Sequence, residues 1–496
     1  MSPTNNTKQA AWVAVGSLCS FGFTIVSSMI LSRYFNKADY GTYKQVMYVY
    51  NTLLTVFTLG LPKAFSYFLP RVELAQSKSL INKITRLFFL LGGTLSLLLL
   101  GFAPQIAAFL KNPDLVKALR VFALVPFLML PTMGLDGILA TFKQTKFLAL
   151  YNILTNVFKL LCVALPVMIW DLGYVEALWG FVGASFITFL LAIYLKYLPV
   201  KNQPKEKTDV SYKEIFKFSL PLLTASIWGI LINSTDQFFI SRYFGTEVFA
   251  EFSNGALELP FVGMIIGACS TVLTPLFSRQ VYKKADFNTT IYPVWQSSFA
   301  KSAMLLYPIV VFCIYDAVSI MTVLYGEQYA ASGTYFQVRL TVNFVKIVSY
   351  YSVLMAIGAT RFYSRAFAVF FFVMAAMEYL CVKIFPNPII ITVIHSALTI
   401  TNCLVFIAYI ARYFKISFFK LFPMKELGKV IGMSLLSIAI VWLSKYIYHT
   451  NLQLVQLIID FIVFCIAYFL LSLWLKIDYI KIIKPLFSKT SNNNTK

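Results

Sequence analysis

Charge is scarce in this chain. Only 12% of its 496 residues are charged, where a soluble domain carries about 25%. Polar surface of that extent cannot cover a soluble body this long, so the composition excludes an ordinary water-soluble enzyme. Histidine is nearly absent: His395 and His449 stand isolated, which excludes HExxH-type metal spacing. The seven cysteines (Cys19, Cys162, Cys269, Cys313, Cys381, Cys403 and Cys465) all fall in apolar stretches and none has CxxC spacing. They read as small apolar residues rather than zinc ligands or redox pairs. No P-loop, GxSxG or GxGxxG precedes a suitable helix, so the chain offers no nucleotide or acyl-transfer motif. The N-terminal MSPTNNTKQAAW lacks a cleavable signal pattern.

Apolar residues, by contrast, make up 59% of the chain, with 47 Phe and 29 Tyr. That abundance suits lipid contact and interfacial aromatic belts. A spanning helix needs about 20 mostly apolar residues. On that criterion fourteen spans are expected, near 10–31, 43–62, 84–102, 119–141, 147–170, 175–198, 216–240, 249–276, 302–324, 334–357, 363–384, 388–411, 429–447 and 452–475. The boundaries around 62–84 and 277–301 are the ones where amphipathic turns extend the helices. The expected fold class is an all-α polytopic membrane protein.

The net charge of +22 would suggest nucleic acid in a soluble protein. Here Lys and Arg sit mainly in short loops, so no nucleic-acid partner is expected. With the N-terminus on the cytoplasmic side, alternate loops place 30 Lys and Arg on the cytoplasmic side and 9 on the other, and three lie within spans. That bias is the positive-inside pattern. It places both termini on the cytoplasmic side, with membrane lipids as contacts.

The chain also repeats itself. LSRYFNKADYGTYKQ (31–45) returns as ISRYFGTEVFAEFSN (240–254), with Ser-Arg-Tyr-Phe matched at an offset of 209. Aromatics recur at Tyr40 and Phe249 and at Tyr43 and Phe252, and Arg71 pairs with Arg279. Six spans separate the copies, so the repeat is parallel. The expected organisation is an N-terminal lobe (1–200), a polar linker (201–214), a C-terminal lobe (215–427), two extra helices (428–476) and a tail (477–496), a plan common among transporters.

The run 31–71 resembles the N-terminal signature of the polysaccharide transporter family. These are the Wzx-type flippases of the multidrug/oligosaccharidyl-lipid/polysaccharide exporter superfamily. The resemblance rests on the SRYF helix end, the Tyr40-Gly41 turn and the Gly60-Leu61-Pro62 element closing the second span. The second copy resembles the start of that family's C-terminal lobe. The resemblance implies flipping of undecaprenyl-diphosphate-linked oligosaccharide, for O-antigen, lipopolysaccharide, capsule or exopolysaccharide. A polysaccharide polymerase and chain-length machinery are then candidate partners.

An ionisable group at a helix centre costs about 2.5–3.5 kcal/mol to insert, so it faces a partner or a cavity. Lys159, Arg339 and Lys346 are the three in-span cations. Arg339, Asn343, Lys346 and Tyr350 follow the spacing of one helical face, and Lys159 shares a stripe with Asn152, Thr155 and Asn156. We expect these cations to bind the diphosphate, with Asn152, Asn156 and Asn343 lining the cavity. The plainer alternative pairs each cation with a buried acid: Asp136, Asp236, Glu258, Asp316, Glu378 or Asp460. Arg33 and Arg242, equivalent in the repeat, either meet phosphate at the far side or anchor at the interface. Asp236 and Glu258 are candidates for a coupling proton or sodium ion, against a bland role as partners of Arg242 or Arg339. The serine stripe Ser17, Ser20, Thr24 and Ser27 either lines the cleft or packs helices. No cofactor and no metal are expected.

Three rival classes remain. A membrane-embedded polymerase would carry a large periplasmic loop with catalytic residues, but the longest here is about 102–118, with Asp114 its single acid. A cation-coupled drug exporter would favour acids over cations in its cleft. A lipid II flippase shares the architecture and the anionic cargo.

Overall fold

The computed structural model describes residues 3–204, 206–282, 291–348, 350–475, 477 and 479. These residues are helical throughout their regular structure, with no strand among them. In hydrocarbon a helix satisfies its own backbone groups, so an apolar chain of this composition has no cheaper choice. The large apolar side chains that stay exposed, such as Leu97, Trp179, Ile447 and Trp474, are then lipid contacts rather than a solubility defect.

The chain divides into two compact units, Met1–Ala250 and Glu251–Lys496. In the first, α1 (Pro3–Tyr34) leads to α2 (Lys37–Phe57) and α3 (Pro62–Phe68), then α4 (Leu74–Leu110). There follow α5 (Leu115–Phe122), α6 (Leu124–Met129), α7 (Leu135–Thr141), α8 (Thr145–Lys159), α9 (Leu165–Trp170) and α10 (Tyr174–Tyr197). The long α11 (Tyr212–Gly255) runs past the boundary between the units. The second unit continues with α12 (Pro260–Tyr282), α13 (Tyr292–Tyr315), α14 (Ala317–Tyr325), α15 (Ser332–Leu340), α16 (Tyr350–Ala356), α17 (Thr360–Ile384) and α18 (Pro388–Tyr413). It ends with α19 (Met424–Ile447) and α20 (Gln453–Trp474).

Among the described residues eleven helices are long and apolar enough to cross a membrane, or twelve when the bent pair Tyr212–Leu223 and Ser226–Gly255 counts as one span. Among these residues the expected count of fourteen is not confirmed. Of the two expected spans outside the twelve, 334–357 is broken at 341–348, whereas 249–276 is broken only near its start, at 256–259, and continues as the 23-residue α12. Elsewhere helices are longer than hydropathy implied. Lys37–Arg71 and Leu74–Leu110 carry helix through the uncertain stretch 62–84. The Gly60-Leu61-Pro62 element thus bends the second span rather than ending it. Gly60 has φ +71° and comes so close to Ser219 that an added Cβ would lie 2.6 Å from its carbonyl oxygen, two reasons for glycine there. The tail 480–496 lies outside the described residues.

The repeat has a structural counterpart. In the first copy α1 ends at Tyr34 within Ser-Arg-Tyr-Phe, and Asn36 opens α2 as its N-cap, its Oδ1 accepting from the Asp39 amide at 2.8 Å. In the second the break comes at the equivalent Gly245, with φ +84°. One motif therefore precedes a helix interruption twice, once with an asparagine that caps the next helix and once through glycine's backbone freedom.

Candidate functional site

In the first unit the site residues gather on α8 and its neighbours. Gly16 of α1 approaches Ala149 of α8 so closely that an added Cβ would lie 2.8 Å from its Cα. This contact brings the α1 polar stripe against the α8 stripe. Thr24 donates to Asn156 Oδ1 at 3.2 Å, and Asn156 Nδ2 donates to the Asn152 carbonyl at 2.9 Å. Asn152 and Asn156 are half-buried. Lys159, also half-buried, ends α8 with its ammonium 5.0 Å from the centre of the Phe181 ring, a cation–π contact with α10. Directly after it the helix widens into a π turn over Leu160–Ala164. Gly180 of α10 packs against this turn, and a Cβ there would overlap the Cys162 carbonyl. Such π bulges are frequent at functional sites.

Asp236 lies fully buried on α11, its Oδ1 accepting from the Gln237 amide at 2.8 Å. α2 covers this stretch with polar groups: Tyr48 donates to the Ser234 carbonyl at 3.3 Å, and Gln45 Nε2 donates to Ser241 Oγ at 2.9 Å. Asn112 completes the network by donating to Gln45 Oε1 at 2.7 Å and to Thr42 Oγ1 at 3.0 Å. Arg242 donates to the Phe109 carbonyl in the last turn of α4 and sits over the Phe109 ring at 4.9 Å. A cation at a helix C-terminus is favourably placed. Arg33 is exposed at the end of α1.

The second unit holds Arg339, Asn343 and Lys346, but not on one helical face. α15 stops at Leu340, a 3₁₀ turn covers Thr341–Phe344, and turns continue to residue 348 before α16 begins at Tyr350. The expected stripe of Arg339, Asn343, Lys346 and Tyr350 is therefore corrected. The reason is local: Thr341, Val342, Asn343, Val345, Ile347 and Val348 are weak helix formers. Tyrosine hydroxyls take up the carbonyls this leaves. Tyr307 donates to the Phe344 carbonyl at 2.5 Å and Tyr350 to that of Val345. Arg339 is half-buried, 5.7 Å from the Phe252 ring centre, Asn343 is half-buried and Lys346 is exposed. Glu258 is exposed within the 256–259 break.

Sequence reasoning missed two inward-folded cations by assigning them to loops. Lys196 of α10 is fully buried, donating to the Pro131 carbonyl at 2.6 Å between the rings of Phe65 and Phe88. Lys445 of α19 lies 2.9 Å from Asp460 and 3.3 Å from Asp316, and Gln456 donates to Asp460 at 2.8 Å. Asp316 and Asp460 were candidate partners for in-span cations, and Lys445 is the cation that takes them. The signal was available: Lys445 and Asp460 flank the short connection between the last two helices. His395, isolated in sequence, is not isolated in space. Its Nδ1 lies 3.6 Å from Glu378 Oε1, with both residues buried.

No curated protein matches the chain by sequence. Among solved structures it is similar to the lipid II flippase MurJ in an inward closed conformation. That match has a TM-score of 0.71 and 15% identity over 96% of this chain and 99% of the other. It is also similar to an inward-facing multidrug resistance MATE family transporter of the MOP superfamily, at TM-score 0.59 and 14% identity over 83% and 94% of the two chains. A third is a MOP superfamily transporter from Pyrococcus furiosus, at TM-score 0.53 and 16% identity over 83% and 97%. These relatives are transporters and flippases rather than enzymes, and at such identities they establish a shared fold. The sequence model of the polysaccharide biosynthesis protein family matches residues 30–333, more than half of the chain; the chain belongs to that family.

Proposed function

We propose that this protein flips polyprenyl-diphosphate-linked oligosaccharide across a bacterial cytoplasmic membrane by alternating access. Lys159, Arg339 and Lys346 bind the diphosphate. Asn152, Asn156 and Asn343 line the hydrated cavity that receives the sugar, the polyprenyl tail stays in lipid, and Arg33 and Arg242 attend the release side. One observation carries this reading: Lys159, Arg339 and Lys346 each sit at a helix irregularity inside an expected span. Lys159 opens the π turn, and Arg339 and Lys346 flank or occupy the broken 341–348 segment. Irregular backbone at membrane depth is tolerated where it is enclosed by protein or lines a cavity, and discontinuous helices mark substrate sites in transporters. Ammonium and guanidinium groups there suit an anionic cargo. The organisation we favour is the two six-helix lobes, with both termini cytoplasmic, that the sequence repeat and charge bias suggest.

The test is complementation in the host. Deletion should remove surface glycan and trap unpolymerised lipid-linked units inside. The Lys159→Ala, Arg339→Ala, Lys346→Ala triple variant, checked for membrane insertion, should fail to restore export; export at wild-type level would sink the assignment. A second reading, lipid II as the cargo, is favoured by the likeness to MurJ over nearly the whole chain. Loss of cell-wall precursor export with normal surface glycan would select it. Altered drug tolerance alone would select a MATE-like exporter.

A further inference from the structure

Away from these cations, four residues of α4 fall on one face at i, i+3, i+4, i+7 spacing: Ser79, Asn82, Lys83 and Arg86. With Lys207 of the linker and Tyr212 at the start of α11 they line a cavity of about 310 Å³, within the roughly 300–1,000 Å³ range of small-molecule sites. The lining holds three cations and no acid. It is assembled, because the linker is docked onto α4 at several points. Lys83 donates to the Val210 carbonyl at 2.6 Å and lies over the Tyr212 ring. The Glu206 amide donates to the Ala75 carbonyl at 3.2 Å, and Gln76 donates to Asp209 at 3.3 Å. Thr208 is buried at 3% exposure. A capping box then starts α11: the Ser211 amide donates to Glu214 Oε2 at 2.7 Å and the Glu214 amide to Ser211 Oγ at 3.2 Å. Tyr197 donates to Asn82 Oδ1 at 2.6 Å, so the Asn82 amide nitrogen remains as a donor.

We propose that this cavity binds a phosphate group presented at the membrane surface. Arg86 stands one residue before the apolar run that begins Leu87-Phe88-Phe89, which sets the cavity at headgroup depth. The charge bias assigns that face to the cytoplasm, where anionic lipids concentrate and basic pockets hold headgroups. An Arg fork with two ammonium groups and hydroxyl and amide donors matches phosphate oxygens. Two sources carry that chemistry: an anionic phospholipid, or the diphosphate of lipid-linked cargo arriving from the same leaflet. The second source alone rests on the proposed function.

The test is binding, not transport, so it stands or falls separately from flipping. The full-length protein is placed in phosphatidylcholine nanodiscs with and without phosphatidylglycerol, and in detergent with inorganic pyrophosphate. Bound lipid is counted by native mass spectrometry, and thermal unfolding is followed. Wild type should retain phosphatidylglycerol or be stabilised by pyrophosphate, and each removed cation should weaken binding by roughly fivefold. Arg86→Gln with Lys207→Gln leaves the Lys83–Val210 bond intact, so this double variant keeps the test valid if the triple variant with Lys83→Gln misfolds. Lys117→Gln, on α5, is the control. Retention of phosphatidylglycerol without a pyrophosphate response assigns a lipid headgroup, and a pyrophosphate response without lipid retention assigns a diphosphate. Binding in the double variant equal to wild type overturns the site.

Discussion

The Lys445 ammonium lies 2.9 Å from the Asp460 carboxylate and so ties α19 to α20, while Asp316 at 3.3 Å from the same ammonium ties both helices to the junction of α13 and α14. The two carboxylates are almost fully buried and Lys445 is 28% exposed. Removing the one cation would leave two buried acids uncompensated. We expect Lys445→Met to destabilise the second unit by about 3 kcal/mol, the range for breaking a buried pair. Addition of Asp460→Asn and Asp316→Asn should recover part of that loss. Thermal unfolding in detergent measures both, and an unchanged single variant would show that the triad adds nothing.

Lys196 is the opposite case. It is a buried cation held by a carbonyl and two aromatic rings, and Lys196→Met would remove the charge while keeping much of the chain's volume. Leaving the Pro131 carbonyl unmatched costs about 1–3 kcal/mol, but removing a buried charge offsets several. The variant should unfold at or above the wild-type temperature, whereas Lys196→Ala, which opens a cavity beside Phe65 and Phe88, should unfold lower.

Two glycines are held by backbone proximity. A Cβ on Gly41 would overlap the Thr246 carbonyl, and one on Gly180 the Cys162 carbonyl. Backbone cannot yield as a side-chain tip can, so Gly41→Ala and Gly180→Ala should each cost about 1–3 kcal/mol, as overpacking does. Gly183, which has open space around it, serves as control: Gly183→Ala should be neutral or slightly stabilising in the same unfolding assay.

Asp236 and Glu258 differ in setting: the first is fully buried on α11, the second exposed in a break. Asp236→Asn should therefore uncouple transport from a proton or sodium gradient more strongly than Glu258→Gln. Gradient-driven uptake against exchange in inside-out vesicles separates the two steps. Equal gradient dependence in both variants and wild type would remove the carboxylates from coupling.

The helical, membrane-spanning class was legible because composition and run length state it directly. The repeat was legible because Ser-Arg-Tyr-Phe and the aromatics after it recur at one offset, and in both copies the helix is interrupted at the end of the motif. What escaped was irregular backbone. A face drawn with a 3.6-residue ruler through Arg339, Asn343, Lys346 and Tyr350 assumes an unbroken helix, and tertiary partners such as Tyr307 make the break affordable. The partners of Lys196 and Lys445 escaped for another reason. Both lie near the ends of apolar runs, where hydropathy alone cannot separate a loop cation from one folded inward.

The π turn after Lys159 has a consequence for the tolerance of the chain to gaps. A π turn holds one more residue than the α turn it replaces, so the segment 160–164 can lose a residue by relaxing to α geometry. A deletion between Asn152 and Lys159 would instead rotate the residues on one side of it by about 100° relative to those on the other, splitting the polar face that meets α1. Length variation in this span is therefore confined to the turn beside the cation, and the polar face before it is fixed in register.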